Sequence, residues 1–193
     1  MIDGLMNAED ENGNKLDDEQ VIDIMLMYLN ASHESSGHIT MWATVYLQQH
    51  PKCFQRAKVI DETMCLVTFS LTVFREPKSD VNINGYLVPK GWRALAWFRT
   101  IHYDLKIYPN PIEFNPSRWD KFMPKATEFM PFGVGSRLCP GNELAKLEII
   151  VFLHHFLLSY RLECLNPKSP VMYLPYARPI DNCVARIHKV SKA

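Results

Sequence analysis

The chain has 193 residues, with 21 Lys and Arg against 21 Asp and Glu, so its formal net charge is zero. That length implies about one domain at roughly 150 residues each. A 47% hydrophobic content with only 8 Gly and 13 Pro excludes a disordered or collagen-like chain, and the balanced charge leaves no electrostatic footprint for nucleic acid.

Uncharged apolar stretches such as Cys65–Phe74 fall far short of the ~20 residues that cross a bilayer, so no membrane span is expected. Seven acids and one Lys in Met1–Gln20 argue against a secretory or transit leader there.

Residues 1–16 are polar and read as a frayed N-terminal segment ahead of a domain over 17–193. Asp17 with Gln20 three residues on is a capping-box signature. Dense apolar residues then run from Val21 to Leu47, and Pro51 stops them. This predicts one long helix, apolar on nearly every face and therefore buried. Its centre, Ala31–His38, is polar, which a buried helix tolerates only where it meets water, a ligand or a cofactor. Pro51–Phe74 reads as two short helices, the second over Val59–Phe69. Val81–Ile83 and Tyr86–Val88 flank Asn84-Gly85, a hairpin signal, and a third strand follows at Arg93–Trp97. Tyr108–Trp119 carries three prolines and must be extended and turning. Asn142–Tyr160 is a strongly apolar helix, and Arg161–Val190 reads as short strands.

The five cysteines, at 53, 65, 139, 164 and 183, show no C-x-x-C spacing and are odd in number, which fits a reducing compartment better than a disulfide framework. Cys53, Cys164 and Cys183 read as small buried hydrophobes. Cys139 differs. It lies between glycines just ahead of a helix N-terminus, where the helix dipole and N–H donors favour a thiolate. Glycines let the backbone approach a large flat ligand, and Arg137 offers a cation to an anionic group. Together these suit a haem with a thiolate axial ligand.

The pattern F-x-x-G-x-R-x-C-x-G, here Phe132–Gly141, resembles the haem-binding loop of the cytochrome P450 family. Ala31–Ser36 resembles the oxygen-activating groove of that family's central helix, Glu62–Cys65 lies where its E-x-x-R motif belongs, and Phe114–Trp119 resembles the Pro/Arg segment that follows. Within the family, His33–Trp42, Phe69–Arg75 and Leu153–Leu158 look most like the plant ent-kaurenoic acid oxidases. The resemblance implies a mainly α fold with a small β-sheet, the C-terminal part of the family's architecture, truncated.

It also implies haem b, with Cys139 as axial iron ligand and with Arg137 and Arg75 on the propionates. Phe132, Gly133, Gly135 and Gly141 shape the loop. Glu34 and Ser35 manage protons, and Glu62 pairs with Arg118 structurally. Phe69, Ser70, Leu71, Val73, Met172, Tyr173 and Leu174 are expected to face the substrate. The implied activity is insertion of one oxygen atom from O2 into a diterpenoid or sterol-like terpenoid. Electrons come from an NADPH–cytochrome reductase at the cytosolic face of the endoplasmic reticulum membrane, where an anchor absent from this chain holds the full-length protein.

Three departures from the pattern stand out. Everything before the central helix is missing. Lys58 runs straight into Val59, where the family carries further helices. Cys65 replaces the Arg of E-x-x-R, and removing one member of a buried ion network costs about 3–5 kcal/mol out of a total of about 5–15. Ser32, in place of a glycine in the groove, is a smaller change. For the chain as it stands, the preferred reading is therefore the alternative: a non-catalytic remnant that binds haem poorly or not at all and associates through exposed apolar faces. A zinc hydrolase is rejected because Gly37 stands where H-E-x-x-H needs its second His. A Cys-based phosphatase is rejected because Ala145 stands where it needs an Arg.

Overall fold

Asp17 and Gln20 close the capping box that their spacing predicts. The Gln20 N–H donates to Asp17 Oδ1 at 2.8 Å, and the Asp17 N–H donates to Gln20 Oε1 at 3.1 Å. From there α2 runs over Asp18–Gln49, 32 residues. The computed structural model describes residues 2–53 and 56–190. It divides into two compact units, Met1–Gly37 and His38–Ala193.

The first unit is more ordered at its start than the frayed segment expected over 1–16. A short helix, α1 (Ile2–Met6), is followed by a turn around Asp10, whose Oδ1 accepts the N–H groups of Asn12 and Asn14 at 2.8 and 2.9 Å. Such local side-chain bonds organise a polar segment that has no core of its own. Further along, Ile22, Leu26, Met27, Tyr28 and Leu29 of α2 are exposed, against the expectation of burial. A helix that is apolar all round is buried only where it is covered on every side. The buried residues of α2 begin at Ile39.

In the second unit the core joins three helices. Ile39, Ala43 and Leu47 of α2 recur every fourth residue, so they share one face. They meet Val59, Ile60, Met64 and Val67 of α3 (Arg56–Val67), and Ile149 and Leu153 of α5 (Asn142–Ser159). Each buried aliphatic side chain contributes about 1.5–3 kcal/mol. The first of the two short helices read after Pro51 falls partly on residues 54–55, outside the described residues. The second is α3, and it ends before Phe69 because Thr68 turns left-handed (φ 46°) and its hydroxyl donates back to the Cys65 carbonyl at 3.0 Å.

Among the described residues the strands form four separate antiparallel pairs. β2 (Val81–Ile83) and β3 (Tyr86–Val88) make the expected hairpin, with Asn84 and Gly85 at φ 50° and 90° as a two-residue turn of this hand requires. Thr72–Arg75, of which 72–74 close the stretch Pro51–Phe74 read as two short helices and no strand, is instead β1. It pairs with β4 (Ala94–Trp97), Thr72 opposite Trp97. Its partner lies beyond the whole hairpin, and β-branched Thr72 and Val73 suit the pleat. A short helix, α4 (Phe98–His102), follows β4. The tail forms strands as read: β5 (Tyr160–Cys164) pairs with β8 (Ala185–Lys189), and β6 (Val171–Met172) with β7 (Arg178–Pro179).

Candidate functional site

Cys139 sits in a loop closed by its own backbone. Its N–H donates to the Phe132 carbonyl at 3.0 Å, and between them Gly133 and Gly135 take φ 78° and 73°, conformations that side chains with a Cβ resist. Gly135–Arg137 is one turn of 3₁₀ helix, and Leu138 N–H returns to the Gly135 carbonyl at 3.1 Å. The Cys139 carbonyl accepts the Asn142 side-chain amide at 3.1 Å at the start of α5, which no side chain caps at Gly141.

The thiol is free and half-buried, so it can reach a ligand. A methyl added at Gly141 would meet Cys139 Sγ at 3.9 Å, and one added at Gly135 would meet nothing within 4 Å. The loop therefore leaves open space at Gly135, and the free sulfur is flanked along the chain by the exposed apolar side chains of Val134 and Leu138. Those features fit a thiolate-ligated haem. Arg137 is exposed on the same loop. Arg75 is exposed at the end of β1, with its guanidinium donating to the Phe74 carbonyl at 2.9 Å. Among the described residues neither arginine is in an ion pair, so both cations remain available to an anionic group.

In the first unit, Glu34 is exposed and Ser35 half-buried on α2. The Ser35 hydroxyl donates to the Ala31 carbonyl one turn back at 2.7 Å. That bond engages its proton within the helix.

Glu62 meets Arg118 within a network larger than one pair. The ion pair is 2.9 Å long and Glu62 is 1% exposed. The carboxylate also accepts the Asn115 N–H at 2.8 Å and the Trp119 indole N–H at 2.8 Å. The other nitrogens of Arg118 donate to the Pro109, Asn110 and Glu113 carbonyls at 2.8, 3.2 and 2.9 Å. Burial raises the Glu62 carboxyl, and these donors oppose it. The loss expected from Cys65 is thus softened, because Arg118 and Trp119 satisfy Glu62 without an arginine at position 65. Cys65 itself is buried, and its thiol is pushed up to about 12 by burial and by the neighbouring Glu62 charge.

One polar residue beneath the loop is not signalled by any motif read above. His102 is fully buried; its Nε2 accepts the Met130 N–H at 3.1 Å, and its Nδ1 lies 2.9 Å from the Thr68 hydroxyl. That hydroxyl already donates to Cys65, so its oxygen accepts from Nδ1–H and the ring is the neutral Nδ1–H tautomer. Burial lowers its pKa to about 4.

The residues expected to face a substrate fall into two clusters. Phe69 stacks on Tyr176 with ring centroids 5.1 Å apart, which joins the segment before β1 to the segment after β6. Leu71 is buried, Val73 and Met172 are half-buried, and Ser70, Tyr173 and Leu174 are exposed. Tyr173 lies under the Arg99 guanidinium, 4.3 Å from the ring centroid. Tyr176 was missed because aromatic pairing across 107 residues leaves no local pattern.

The cytochrome P450 family model matches residues 56–177. The chain is 55% identical over 216 residues to ent-kaurenoic acid oxidase 2 of Arabidopsis thaliana, covering 97% of this chain and 44% of that protein. It is 51% identical to ent-kaurenoic acid oxidase of Oryza sativa subsp. japonica, covering 99% and 44%. To β-amyrin 11-oxidase of Glycyrrhiza uralensis it is 48% identical, covering 100% and 45%. Its fold matches the cyanobacterial CYP120A1 solved with retinoic acid at TM-score 0.84 and 25% identity, over 98% of this chain and 50% of that one. The chain thus spans under half the length of the curated relatives it matches, and, on the strength of a motif, a fold and a family model that agree, it belongs to the cytochrome P450 family.

Proposed function

We propose that this chain carries the haem-thiolate portion of a monooxygenase that inserts one oxygen atom from O2 into a C–H bond of a terpenoid, with ent-kaurenoic acid as the first substrate to test. The observation that carries the reading is Cys139, a free, half-buried thiol on a glycine loop with open space at Gly135, immediately before α5. Haem b, when bound there, supplies the activation of O2. Cys139 would hold the iron, Arg137 and Arg75 would hold the two propionates, and Phe132, Gly133, Gly135 and Gly141 would let the backbone approach. Ser35, whose hydroxyl donates to the Ala31 carbonyl, and the exposed Glu34 would be the residues of α2 that handle protons. Phe69, Ser70, Leu71, Val73, Met172, Tyr173 and Leu174 face the substrate.

Relatives named for ent-kaurenoic acid support a diterpenoid, and the relative named for β-amyrin keeps a sterol-like substrate as the alternative. An NADPH–cytochrome reductase supplies electrons, at the cytosolic face of the endoplasmic reticulum. Among the described residues no helix is long and apolar enough to cross a membrane.

An absorbance spectrum of the haem-loaded, reduced chain with carbon monoxide tests the reading. A red-shifted Soret band that Cys139→Ser abolishes supports it. An unshifted band, or no haem uptake, overturns it. A second reading is favoured by the exposed apolar side chains Leu144, Leu147, Val151 and Phe152 of α5: a non-catalytic chain that binds haem poorly and associates through such faces. Sedimentation that depends on concentration, together with a haem-free spectrum, would establish it.

A further inference from the structure

We propose that His102 is a positioning residue for the Cys139 thiol: its ring nitrogen Nε2 holds the Met130 N–H at the entry to the ligand loop, and the Thr68 hydroxyl sets the tautomer that lets it do so.

Met130 lies in no helix or strand, so no ladder supplies a partner for its N–H, and the residue is buried. The imidazole supplies one: Nε2 accepts that N–H at 3.1 Å. The Met130 carbonyl accepts the Gly133 N–H at 3.2 Å, and the Phe132 carbonyl accepts the Cys139 N–H at 3.0 Å. Both backbone groups of Met130 are therefore engaged, one with the ring and one with the loop. At the exit, the Asn142 side-chain amide donates to the Cys139 carbonyl at 3.1 Å. The loop is thus tied to α5 at one end and to a buried side chain at the other.

The ring is held in turn. It packs on Phe129 with centroids 5.5 Å apart and meets Tyr108 edge-on at 6.5 Å. Fully buried Tyr108 donates its own hydroxyl to the Glu128 carbonyl at 2.9 Å, so the run into the loop is pinned twice. From α3 and the residue that ends it, the Cys65 thiol donates to the His102 carbonyl at 3.8 Å, and Thr68 Oγ1 lies 2.9 Å from Nδ1.

A neutral imidazole has one donor and one acceptor, so the hydrogen on one nitrogen decides what the other can do. The Thr68 hydroxyl spends its hydrogen on the Cys65 carbonyl at 3.0 Å, which leaves its oxygen to accept. Nδ1 then carries the ring hydrogen, and Nε2 keeps the lone pair that Met130 needs. A hydrogen on Nε2 would set two donors face to face and leave the Met130 N–H buried and unpaired. An outer partner that fixes a tautomer in this way acts on a ligand through geometry. That Cys139 ligates a haem iron rests on the function proposed above; the hold of His102 on the loop does not.

The test compares the whole chain with His102→Leu, His102→Gln, Thr68→Val and Thr68→Ser. Leu fills the site without an acceptor, whereas the Gln side-chain oxygen can take the Met130 N–H. Val keeps the shape of Thr without its hydroxyl, and Ser keeps the hydroxyl. Amide hydrogen exchange over 130–139, read by mass spectrometry, is expected to rise about tenfold in His102→Leu and Thr68→Val, while α5 and the β5–β8 ladder exchange as in the parent. His102→Gln and Thr68→Ser should return the loop to parental rates. Nitrogen-15 NMR of the parent should place the ring hydrogen of His102 on Nδ1. Parental loop exchange in His102→Leu, equal acceleration of α5 and the ladder, no rescue by Gln, or a ring hydrogen on Nε2 would each overturn the proposal. With haem loaded, reduced and exposed to carbon monoxide, His102→Leu should lose the red-shifted Soret band that His102→Gln and the parent keep; a band kept in full by His102→Leu also overturns it. If the parent itself lacks the band, the oxidase reading fails, and the exchange data still decide the hold of His102 on the loop.

Discussion

His102 Nε2 accepts the backbone N–H of Met130, two residues ahead of Phe132, whose carbonyl in turn receives the N–H of Cys139. A buried neutral imidazole therefore holds the entry to the loop that carries the candidate iron ligand. Its folded pKa, about 4, lies below the ordinary 6.5. Between those values the unfolded chain binds the proton and the folded one does not, so stability is fully present above about pH 6.5 and falls as the pH drops towards 4. The full loss is about 3 kcal/mol at 1.36 kcal/mol per pKa unit. Urea unfolding across that range should show the slope, and His102→Gln should flatten it.

Removing one partner of the Glu62–Arg118 pair should be costly. Glu62→Gln leaves a buried guanidinium without its counter-charge and is expected to lower unfolding stability by about 3–5 kcal/mol. The double variant Glu62→Gln/Arg118→Met should lose less than the two single losses combined, because no uncompensated charge remains. Denaturant midpoints for the three variants measure this.

Two glycines of the loop should respond differently to alanine. Gly135 is left-handed, so Gly135→Ala is expected to cost about 1–2 kcal/mol from the backbone although nothing crowds its methyl. Gly141 has φ −90°, and its added methyl makes only ordinary contact with Cys139 Sγ. Gly141→Ala should stay within about 0.5 kcal/mol of the parent. Thermal or urea unfolding separates the two.

Thiol labelling should follow the packing. Cys65 is 3% exposed and its thiol is raised to about 12, so iodoacetamide at mildly alkaline pH should leave it unmodified until the chain unfolds. Half-buried Cys139 should label in the folded chain. Peptide mass analysis over a labelling time course checks the order.

The cap of α2 is open to a simple measurement. Asp17→Ala removes the oxygen that accepts the Gln20 N–H and should cost about 1 kcal/mol, seen as a drop in helical circular dichroism on heating.

The amino-acid sequence by itself determined the features that depend on neighbours along the chain. Asp17 and Gln20 cap α2 because their spacing alone brings each side chain to the other's N–H. Asn84-Gly85 turns the hairpin because both residues tolerate left-handed backbone. The Cys139 loop was legible because its glycines, arginine and cysteine lie within ten consecutive positions, Phe132 to Gly141. The tertiary structure alone decided what residues far apart do together. β1 exists because Thr72 finds Trp97, and a helical or extended reading of Thr72–Arg75 is otherwise balanced. Glu62 is satisfied without an arginine at 65 because Arg118 and Trp119 arrive from over fifty residues away. His102 becomes a neutral anchor only once folding removes water around it and brings Met130 and Thr68 to its two ring nitrogens. Such contacts leave no periodic trace, since burial and pairing are properties of the packed chain and not of the residues that enter it.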